Sequence, residues 1–264
     1  MIGQRDALAL SFAEICVRAA VPVMDVYFQD FTAEQKADRS PVTEADRRAE
    51  ELILRELEVL MPDMPVLAEE SFAAGVRPEV EDRFLLVDPV DGTKEFIRKN
   101  GEFTINIALI EGGVPIAGCV YAPALEKIFI GGERAVSGAV EPGAGFSLAE
   151  LAPISVRTPT AVGKTAVMSR SHADAATRRF AKDHGVTEIV SAGSSLKFCR
   201  VAEGAADLYP RFVPTMEWDT AAGHAVLTAA GGRVTNPDGS SFLYGKVANG
   251  YRNGPFIAWG YEAN

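Results

Sequence analysis

Short apolar runs bounded by turn-forming residues recur through the first half of the chain and predict strands. Apolar runs of roughly four to eight residues are typical of strands buried in a sheet. Gly112 and Gly113 lie between two such runs and indicate a hairpin turn. The runs that we interpret as strands are 65–68, 84–87, 103–110, 114–121 and 126–130.

Two segments of the same half carry apolar residues at helical spacing. In segment 4–28 these residues fall on one face of a helix, which Pro22 is expected to kink or end. A second helix is predicted to begin at Thr43, with Asp46 three residues later as in a capping box, and to end at Leu60. Its predicted buried face consists of Ile53, Leu57 and Leu60.

Strands alternate with helices in the second half, which predicts an α/β fold with a mostly parallel sheet covered on both faces. Segment 135–151 is rich in Gly, Ala and Pro, and we interpret it as a linker or variable excursion. We therefore predict one compact unit of two halves, an α+β half at 1–134 and an α/β half at 135–264. The elements predicted in the second half are strands at 165–169, 187–190, 208–209 and 256–259 and helices at 173–183, 195–202 and 219–230.

Composition and net charge indicate a globular protein and argue against nucleic-acid binding. The chain has 264 residues, of which 47% are hydrophobic and 23% charged, as in a globular protein with a substantial core. The formal net charge of −10 argues against nucleic acid as a partner, because such binding uses a basic surface. An acidic protein that handles phosphate needs local positive charge, and bound metal ions are one source of it.

The cysteines and the apolar segments indicate the compartment. Cys16, Cys119 and Cys199 are odd in number and widely spaced, so we expect free thiols rather than disulfides or zinc ligands. The first residues lack a signal-peptide pattern, and no uninterrupted apolar stretch reaches the roughly 18 residues of a membrane span. We therefore expect a cytoplasmic protein with no integral membrane segment.

The turn after the run 84–87 carries the strongest chemical signal in the chain. Its sequence, Asp88-Pro89-Val90-Asp91-Gly92-Thr93, presents two carboxylates from a backbone that Pro89 stiffens. Hard oxygen ligands on a stiff turn suit Mg²⁺, which completes its shell with water and substrate phosphate. If a helix begins at Gly92 and Thr93, its free N–H groups would face a phosphate. The alternative is an ordinary strand–helix junction with acids near the helix start.

Four further segments place polar side chains where strands end or helices begin. Two of them are acidic, Glu69-Glu70 and Trp218-Asp219-Thr220-Ala221-Ala222-Gly223. The other two are Ser169-Arg170-Ser171-His172 after a strand, where open α/β sheets bind ligands, and Ala192-Gly193-Ser194-Ser195 before a helix. Considered alone, each segment has a structural alternative as a helix cap or a solvated loop, and the same holds for Asp46.

Taken together and in this order, the three acidic segments resemble the motifs of the inositol monophosphatase superfamily of Mg²⁺-dependent, lithium-sensitive phosphatases. These segments are Glu69-Glu70, Asp88 to Thr93 and Trp218 to Gly223. The resemblance runs from the helix start at Thr43 to the final predicted strand. It implies an αβαβα five-layer sandwich of the sugar-phosphatase type, with the active site between the two halves.

Within that superfamily the chain is most similar to the bacterial 3′(2′),5′-bisphosphate nucleotidases of the CysQ type. Those enzymes use a metal-activated water to remove the 3′-phosphate of adenosine 3′,5′-bisphosphate, leaving AMP, and they serve sulfate assimilation. The inositol enzymes place a glutamate against the sugar ring where we align Phe212, which argues against inositol recognition. The residues that carry the finer resemblance are 91–97, 100–104, 169–172, 193–199 and 209–212.

The resemblance also implies a role for individual residues. The implied metal ligands, for two or three Mg²⁺, are Glu69, Asp88, Asp91, Asp219 and the carbonyl of Val90. The implied catalytic residues, which position and deprotonate the attacking water, are Glu69, Thr93 and Asp46. The implied substrate-binding residues are Val90, Asp91, Gly92, Thr93, Ser169, Arg170, His172, Gly193, Ser194, Lys197, Arg211 and Asp219.

Electrostatics agrees with these roles, because several carboxylates in one pocket repel each other strongly unless cations lie among them. Two other functions stay open. One is an inositol monophosphatase or another sugar-phosphate phosphatase, and the other is a non-catalytic protein that binds a phosphorylated metabolite. The expected partner is a small phosphorylated nucleotide. The expected assembly is a monomer or a homodimer, and peripheral contact with the inner face of the membrane is left open.

Overall fold

Residues 3–29, 44–158, 163–169 and 174–261 are described in the computed structural model of the protein. In these ranges the helices are α1 (Gln4–Tyr27), α2 (Glu44–Leu60), α3 (Glu69–Ala73), α4 (Thr93–Ile97), α5 (Ala175–Asp183), α6 (Leu196–Ala202) and α7 (Ala221–Ala229). The strands are β1 (Val66–Ala68), β2 (Arg83–Asp91), β3 (Thr104–Glu111), β4 (Val114–Ala122), β5 (Lys127–Gly131), β6 (Ala135–Ala139), β7 (Ala152–Pro153), β8 (Lys164–Met168), β9 (Val186–Ser191), β10 (Leu208–Arg211), β11 (Thr215–Met216), β12 (Arg233–Thr235), β13 (Arg252–Asn253) and β14 (Phe256–Trp259).

The strands form two large sheets and one small one. In the first sheet β1 to β7 follow one another in chain order, with β1 parallel to β2 and the other pairs antiparallel. The second sheet has the order β12-β14-β10-β8-β9. Its strands β10, β8 and β9 are parallel, whereas β14 is antiparallel to both of its neighbours. Strands β11 and β13 form a separate antiparallel sheet of two strands.

Three hydrophobic cores lie between the five layers of the fold, and the second core extends over both sides of the central helix layer. Helices α1 and α2 cover one face of the first sheet through residues such as Phe12 and Ile53. The other face packs against α6 and α7, where Phe198 and Val226 are buried, and these helices also contact the second sheet. Helix α5 covers the remaining face of the second sheet through Ala181. The order of layers is therefore αβαβα, and the predicted fold class is confirmed.

Helix α1 runs past Pro22 to Tyr27, so the prediction that this proline ends the helix is wrong. Proline removes one hydrogen bond and crowds the preceding turn. Ala19, Ala20 and Val23 beside it are fully buried, and packing of this face outweighs that loss. By length and composition α1 would also suit a membrane span, although 56% of its most apolar window is buried within the protein, as in a core helix.

One of the three acidic segments, Asp88 to Thr93, lies in different secondary structure from that predicted. Strand β2 does not end at Val87 but continues through Pro89 to Asp91, with a shift in its pairing to β3 between Asp88 and Asp91. Such an irregularity turns side chains out of the regular alternation. The pair Glu69-Glu70 follows strand β1 directly and opens helix α3, in agreement with its predicted place at the end of a strand or the start of a helix.

Segment 135–151 is only partly the linker or excursion that was predicted, because residues 135–139 form strand β6, whereas residues 140–147 form neither helix nor strand. Strand β6 pairs with β5 and β7 pairs with β6, so the first sheet continues to Pro153. The division of the chain into halves at 134 and 135 stays a prediction. Leu60, expected on the buried face of α2, is 38% exposed because it lies in the last turn of the helix. All three cysteines are buried and free, as predicted.

Candidate active site

The turn that follows β2 is locked to the loop before α6. Gly92 has φ +93°, a left-handed conformation that favours glycine, and a Cβ there would lie 2.0 Å from the Ser194 hydroxyl oxygen. That hydroxyl lies 2.8 Å from the carbonyl oxygens of Asp91 and Glu102. Helix α4 begins directly after the glycine, at Thr93. The first sheet therefore presents this turn against the second half of the chain.

Ser195 joins two of the predicted metal ligands. Its hydroxyl lies 2.9 Å from Oδ2 of Asp91 and 2.9 Å from the carbonyl oxygen of Asp219. Ser195 is 1% exposed, so this link is shielded from water. The Asp219 carboxylate accepts a hydrogen bond of 2.9 Å from the backbone N–H of Met216. Acids 128 residues apart in sequence are thus brought to one place. The sequence analysis placed Ser195 in a candidate segment before a helix but gave it no role at the site.

Helix α3, which carries Glu69, is held by an acid that the sequence analysis did not single out. The Glu50 carboxylate of α2 accepts 2.8 Å hydrogen bonds from the backbone N–H groups of Glu70 and Ser71, and one of 2.6 Å from the Ser71 hydroxyl. Glu50 is 4% exposed. The signal that could have found it is an acid on the buried stripe of α2, three residues before Ile53.

Asp88 lies on the inner side of β2, 1% exposed, and its Oδ1 accepts a 3.1 Å bond from the N–H of Val90. Asn106 stands opposite it on β3, and Thr104 stands opposite Asp91. The Asn106 amide and the Thr104 hydroxyl are buried, and neither has a hydrogen-bond partner in the described part of the chain. Buried polar groups are normally paired, so these orphaned atoms indicate that water or ions belong beside the acids.

Burial and mutual repulsion raise the pKa values of the acids at this site. Burial, followed by repulsion from Asp219, Asp46 and Asp91, raises the pKa of Glu69 to about 9. Burial and the neighbouring Asp91 raise the pKa of Asp219 to about 7. The pKa of Asp88 rises well above its ordinary value, again through burial and then the charges of the other acids. Buried carboxylates that repel one another in this way favour the binding of a cation among them, because the cation offsets their negative charge.

Two basic side chains balance the acids on the side of the second sheet. Burial raises the pKa of Asp91 as well, and this rise is opposed by the charge of Lys197, then by the hydrogen bond from Ser195 and then by the charge of Arg211. The Lys197 ammonium is 5% exposed and donates a 2.6 Å bond to the carbonyl of Ser194. The Arg211 guanidinium donates to the carbonyl of Val213 at 3.2 Å. A site with carboxylates on one side and basic side chains on the other suits an anionic ligand that binds together with metal ions.

A cavity of about 300 Å³ opens between these groups. Its lining residues are Asp91, Gly92, Thr93, Lys94, Glu95, Ser169, Ser194, Lys197, Phe198, Tyr209, Arg211, Thr215, Asp219 and Thr220. Most of the substrate-binding residues implied by the resemblance are thus brought together. The lining does not include Asp46, Glu69, Asp88, Val90 or Gly193. The Gly193 N–H donates to Glu102 at 3.0 Å. Arg170 and His172 lie outside the described residues.

In the described part of the chain, no three His, Cys, Asp or Glu side chains form a group that could hold a metal ion as they stand. The donor set nevertheless fits a hard divalent cation, because it consists of carboxylates and backbone carbonyls. The raised pKa values of Glu69 and Asp219 and the orphaned amide of Asn106 point to the same place. The chemistry of the site therefore fits a cation, although the acids do not form a preassembled coordination shell.

Comparison with known proteins gives a consistent result. The model of the inositol monophosphatase family matches residues 8–255. The chain is 43% identical over 235 residues to "3′(2′),5′-bisphosphate nucleotidase CysQ" of Escherichia coli, covering 88% of this chain and 91% of that protein. Identity to the protein of the same name from Salmonella typhimurium is 46% over 212 residues, covering 80% and 82%. The crystal structure of CysQ from Bacteroides thetaiotaomicron matches with a TM-score of 0.83 at 34% identity, covering 98% of this chain and 99% of that one.

Proposed function

The chain belongs to the inositol monophosphatase family, and from this premise we propose that it is a Mg²⁺-dependent phosphomonoesterase that removes the 3′-phosphate of adenosine 3′,5′-bisphosphate to give AMP. The substrate is supported by relatives named as bisphosphate nucleotidases at 43% and 46% identity. One observation carries the proposal. Ser195 links Asp91 of the first sheet to Asp219 beside a cavity that is also lined by Lys197 and Arg211.

The proposed metal site takes two or three Mg²⁺. We assign as its ligands the side chains of Glu69, Asp88, Asp91 and Asp219 and the carbonyl of Val90. When bound, such ions neutralise the charge of a phosphate monoester, lower the pKa of a bound water and stabilise the leaving oxygen. The mutual repulsion of the acids supports this assignment, because it is relieved when divalent cations lie among them.

The chain's own residues bind the phosphate and move the proton. The backbone N–H groups of Gly92 and Thr93, at the start of α4, are proposed to bind the oxygens of the scissile phosphate. The Thr93 hydroxyl, with Glu69 or Asp46, is proposed to orient the attacking water and accept its proton. The water oxygen bonds to phosphorus, and the bond from phosphorus to the 3′ oxygen breaks. The released 3′ oxygen takes up a proton from solvent water, so that AMP and inorganic phosphate are the products.

The remaining phosphate of the nucleotide is assigned to the basic side of the cavity. Arg211 offers a planar fork of donors, and the Lys197 ammonium keeps two N–H groups beyond the one it gives to Ser194. Ser169 and Ser194 line the same cavity and supply hydroxyls. Arg170 and His172 stay predicted contacts. Phe212 stands where the inositol enzymes carry a glutamate, which favours a nucleotide over inositol.

A substrate panel tests the proposal. Purified protein in Mg²⁺ is given adenosine 3′,5′-bisphosphate, 3′-phosphoadenylyl sulfate, 5′-AMP and myo-inositol 1-phosphate, and phosphate release is measured. We expect the highest kcat/KM with adenosine 3′,5′-bisphosphate and no release from 5′-AMP, which lacks the 3′-phosphate. Release from the inositol ester but not from the nucleotide would make the protein a sugar-phosphate phosphatase. Binding of the nucleotide without turnover would make it a non-catalytic binding protein.

The proposed cellular setting rests on the resemblance of the sequence to the CysQ-type nucleotidases. We assign the enzyme to the cytoplasm and to sulfur metabolism, where removal of adenosine 3′,5′-bisphosphate would serve sulfate assimilation. Lithium is proposed to inhibit it by competing for a Mg²⁺ position. Phosphate release measured in millimolar LiCl, with NaCl as the ionic-strength control, tests this property. Equal activity in the two salts would contradict it.

A further inference from the structure

We propose that Asn253 is a positioning residue for Asp219, acting through the backbone and side chains on either side of that acid rather than by touching substrate. The inference rests on the proposed metal-dependent function and deepens it. It assigns a part in metal binding to strand β13, which lies 34 residues after the acid and contributes nothing to the lining of the cavity.

The Asn253 side chain lies within hydrogen-bonding distance of three residues of the loop that carries Asp219. Its amide nitrogen lies 2.9 Å from the carbonyl oxygen of Met216, 3.0 Å from the hydroxyl oxygen of Thr220 and 3.2 Å from that of Thr215, and these three acceptors share its two hydrogens. Asn253 is 1% exposed, so these bonds do not compete with water. Two of the three contacted residues precede the acid and one follows it directly.

Met216 passes this restraint to the carboxylate. Its carbonyl accepts from Asn253, and its N–H donates to Oδ2 of Asp219 at 2.9 Å. Strands β11 and β13 also pair here, with Thr215 opposite Asn253. A shift of Met216 therefore moves the donor that orients the Asp219 carboxylate.

Lys246 fixes which way the Asn253 amide points. Its ammonium lies 3.0 Å from Oδ1 of Asn253 and, because an ammonium only donates, the amide oxygen must face it. The amide nitrogen is thereby directed to Met216 and Thr220. Lys246 is itself held by Glu217, a fully buried acid that accepts 2.9 Å bonds from the N–H groups of Gly245 and Lys246. The orientation of the amide is thus set by an ion pair of 3.4 Å in which Glu217 is fully buried and the Lys246 side chain is 25% exposed.

This arrangement predicts a defect in metal binding. Loss of a hydrogen-bond partner behind a metal ligand typically lowers metal affinity about 10- to 100-fold. Since Asn253 does not touch the substrate, kcat at saturating Mg²⁺ should change far less than the Mg²⁺ concentration that gives half-maximal rate. A residue that only stabilised the fold would lower the melting temperature without this split.

The test uses the full-length protein and three variants. Asn253→Ala removes the amide, and Asn253→Leu removes it while keeping most of its volume. Tyr121→Phe is the matched control, because it deletes another buried hydrogen bond, of 2.7 Å to the carbonyl of Val140, in the core on the other face of the first sheet. Mn²⁺ binding is followed by electron paramagnetic resonance, alongside the Mg²⁺ dependence of phosphate release and the melting temperature.

We expect Mn²⁺ to bind at least about tenfold more weakly to both Asn253 variants and with wild-type affinity to Tyr121→Phe. Asn253 variants that fold and bind Mn²⁺ like the wild type would overturn the proposal. So would failure of both variants to fold, because the residue would then serve the fold as a whole. A wild type that binds Mn²⁺ but does not hydrolyse adenosine 3′,5′-bisphosphate would refute the proposed reaction alone, and the Mn²⁺ affinities would still decide the role of Asn253.

Discussion

The Ser195 hydroxyl contacts two of the proposed metal ligands, so its removal gives the sharpest prediction for one residue. Ser195→Ala leaves Oδ2 of Asp91 and the carbonyl of Asp219 without their shared partner in a buried place. We expect the free energy of unfolding to fall by about 1–3 kcal/mol. The Mg²⁺ concentration for half-maximal phosphate release should rise, because both acids lose orientation. Urea denaturation and a Mg²⁺ titration of activity measure the two effects.

Ser137→Ala is the matched control for that prediction. The Ser137 hydroxyl is also buried, but it has no hydrogen-bond partner in the part of the chain that the structure describes. Removing an unpaired buried hydroxyl should leave stability unchanged or raise it. An equal loss of stability in the two alanine variants would show that the bridge made by Ser195 contributes nothing specific.

The residues that sequence reasoning missed share a physical cause. Ser195 looks like any serine before a helix, and its partners only approach it when the two large sheets are packed together. Asn253 lies in a two-residue strand whose pairing depends on tertiary contacts. By contrast, Asp88, Asp91 and Asp219 stand beside glycine, proline and tryptophan in segments whose local sequence is itself informative. Local pattern therefore indicates candidate ligands better than it indicates the groups that hold them.

At the scale of elements, the position of Glu69 depends on how α3 is attached to α2. We call this attachment, the hydrogen bonds from Glu70 and Ser71 to the Glu50 carboxylate, the joint between the two helices. Glu50→Ala removes the acceptor for two backbone N–H groups at the start of α3. Loss of such a capping group costs about 1–2 kcal/mol. We expect a loss of that size in urea denaturation, together with a higher Mg²⁺ requirement, because the first turn of α3 carries a proposed ligand.

Glu51→Ala tests whether that effect belongs to the joint rather than to any acid of α2. The Glu51 side chain is 72% exposed, and its ion pair with Arg47 spans 3.7 Å. Exposed pairs of this kind contribute little to stability. We expect near wild-type stability and Mg²⁺ requirement in this variant. A Glu50→Ala protein that behaves like Glu51→Ala would contradict the proposed role of the joint.

Most elements could be predicted from periodicity, and the exceptions show where it fails. The hairpin between β3 and β4 and the alternation of strands and helices after β8 are local signals, and they are present in the structure. Pro22 inside α1 and Pro89 inside β2 are local signals to stop, and burial of the surrounding residues overrides both. Strands β6 and β7 carry few large apolar residues, so they are recognisable only from the neighbour with which they pair.

At the scale of the whole molecule, the acid cluster makes stability depend on pH and on divalent ions. Glu69 has a pKa of about 9 in the folded chain against an ordinary value of 4.5, and Asp219 has about 7 against 3.8. The folded state therefore binds more protons than the unfolded state in this window. Without metal, we expect the contribution of these two groups to stability to be greatest below their unfolded pKa values and to fall as the pH rises from about 3.8 to about 9.

Mg²⁺ should reverse this trend. It binds the ionised carboxylates of the folded chain and so stabilises that state by mass action. Melting temperatures across this pH range, measured in a chelator and in excess Mg²⁺, give the two curves. The account predicts that Mg²⁺ raises the melting temperature more at the alkaline end than at the acidic end. Curves that stay parallel across the range would show that the acids do not take up the ion.

Direct measurement of metal binding tests the central claim, that acids distant in sequence converge to hold divalent cations. Isothermal titration of the metal-free protein with Mg²⁺ or Mn²⁺ is compared with the same titration of Asp91→Asn and Asp219→Asn. We predict two or three ions per wild-type chain, and we predict that each variant loses an ion and its phosphatase activity while keeping a cooperative melting transition. Unchanged ion binding in both variants, or full turnover by wild-type protein in excess chelator, would contradict the account.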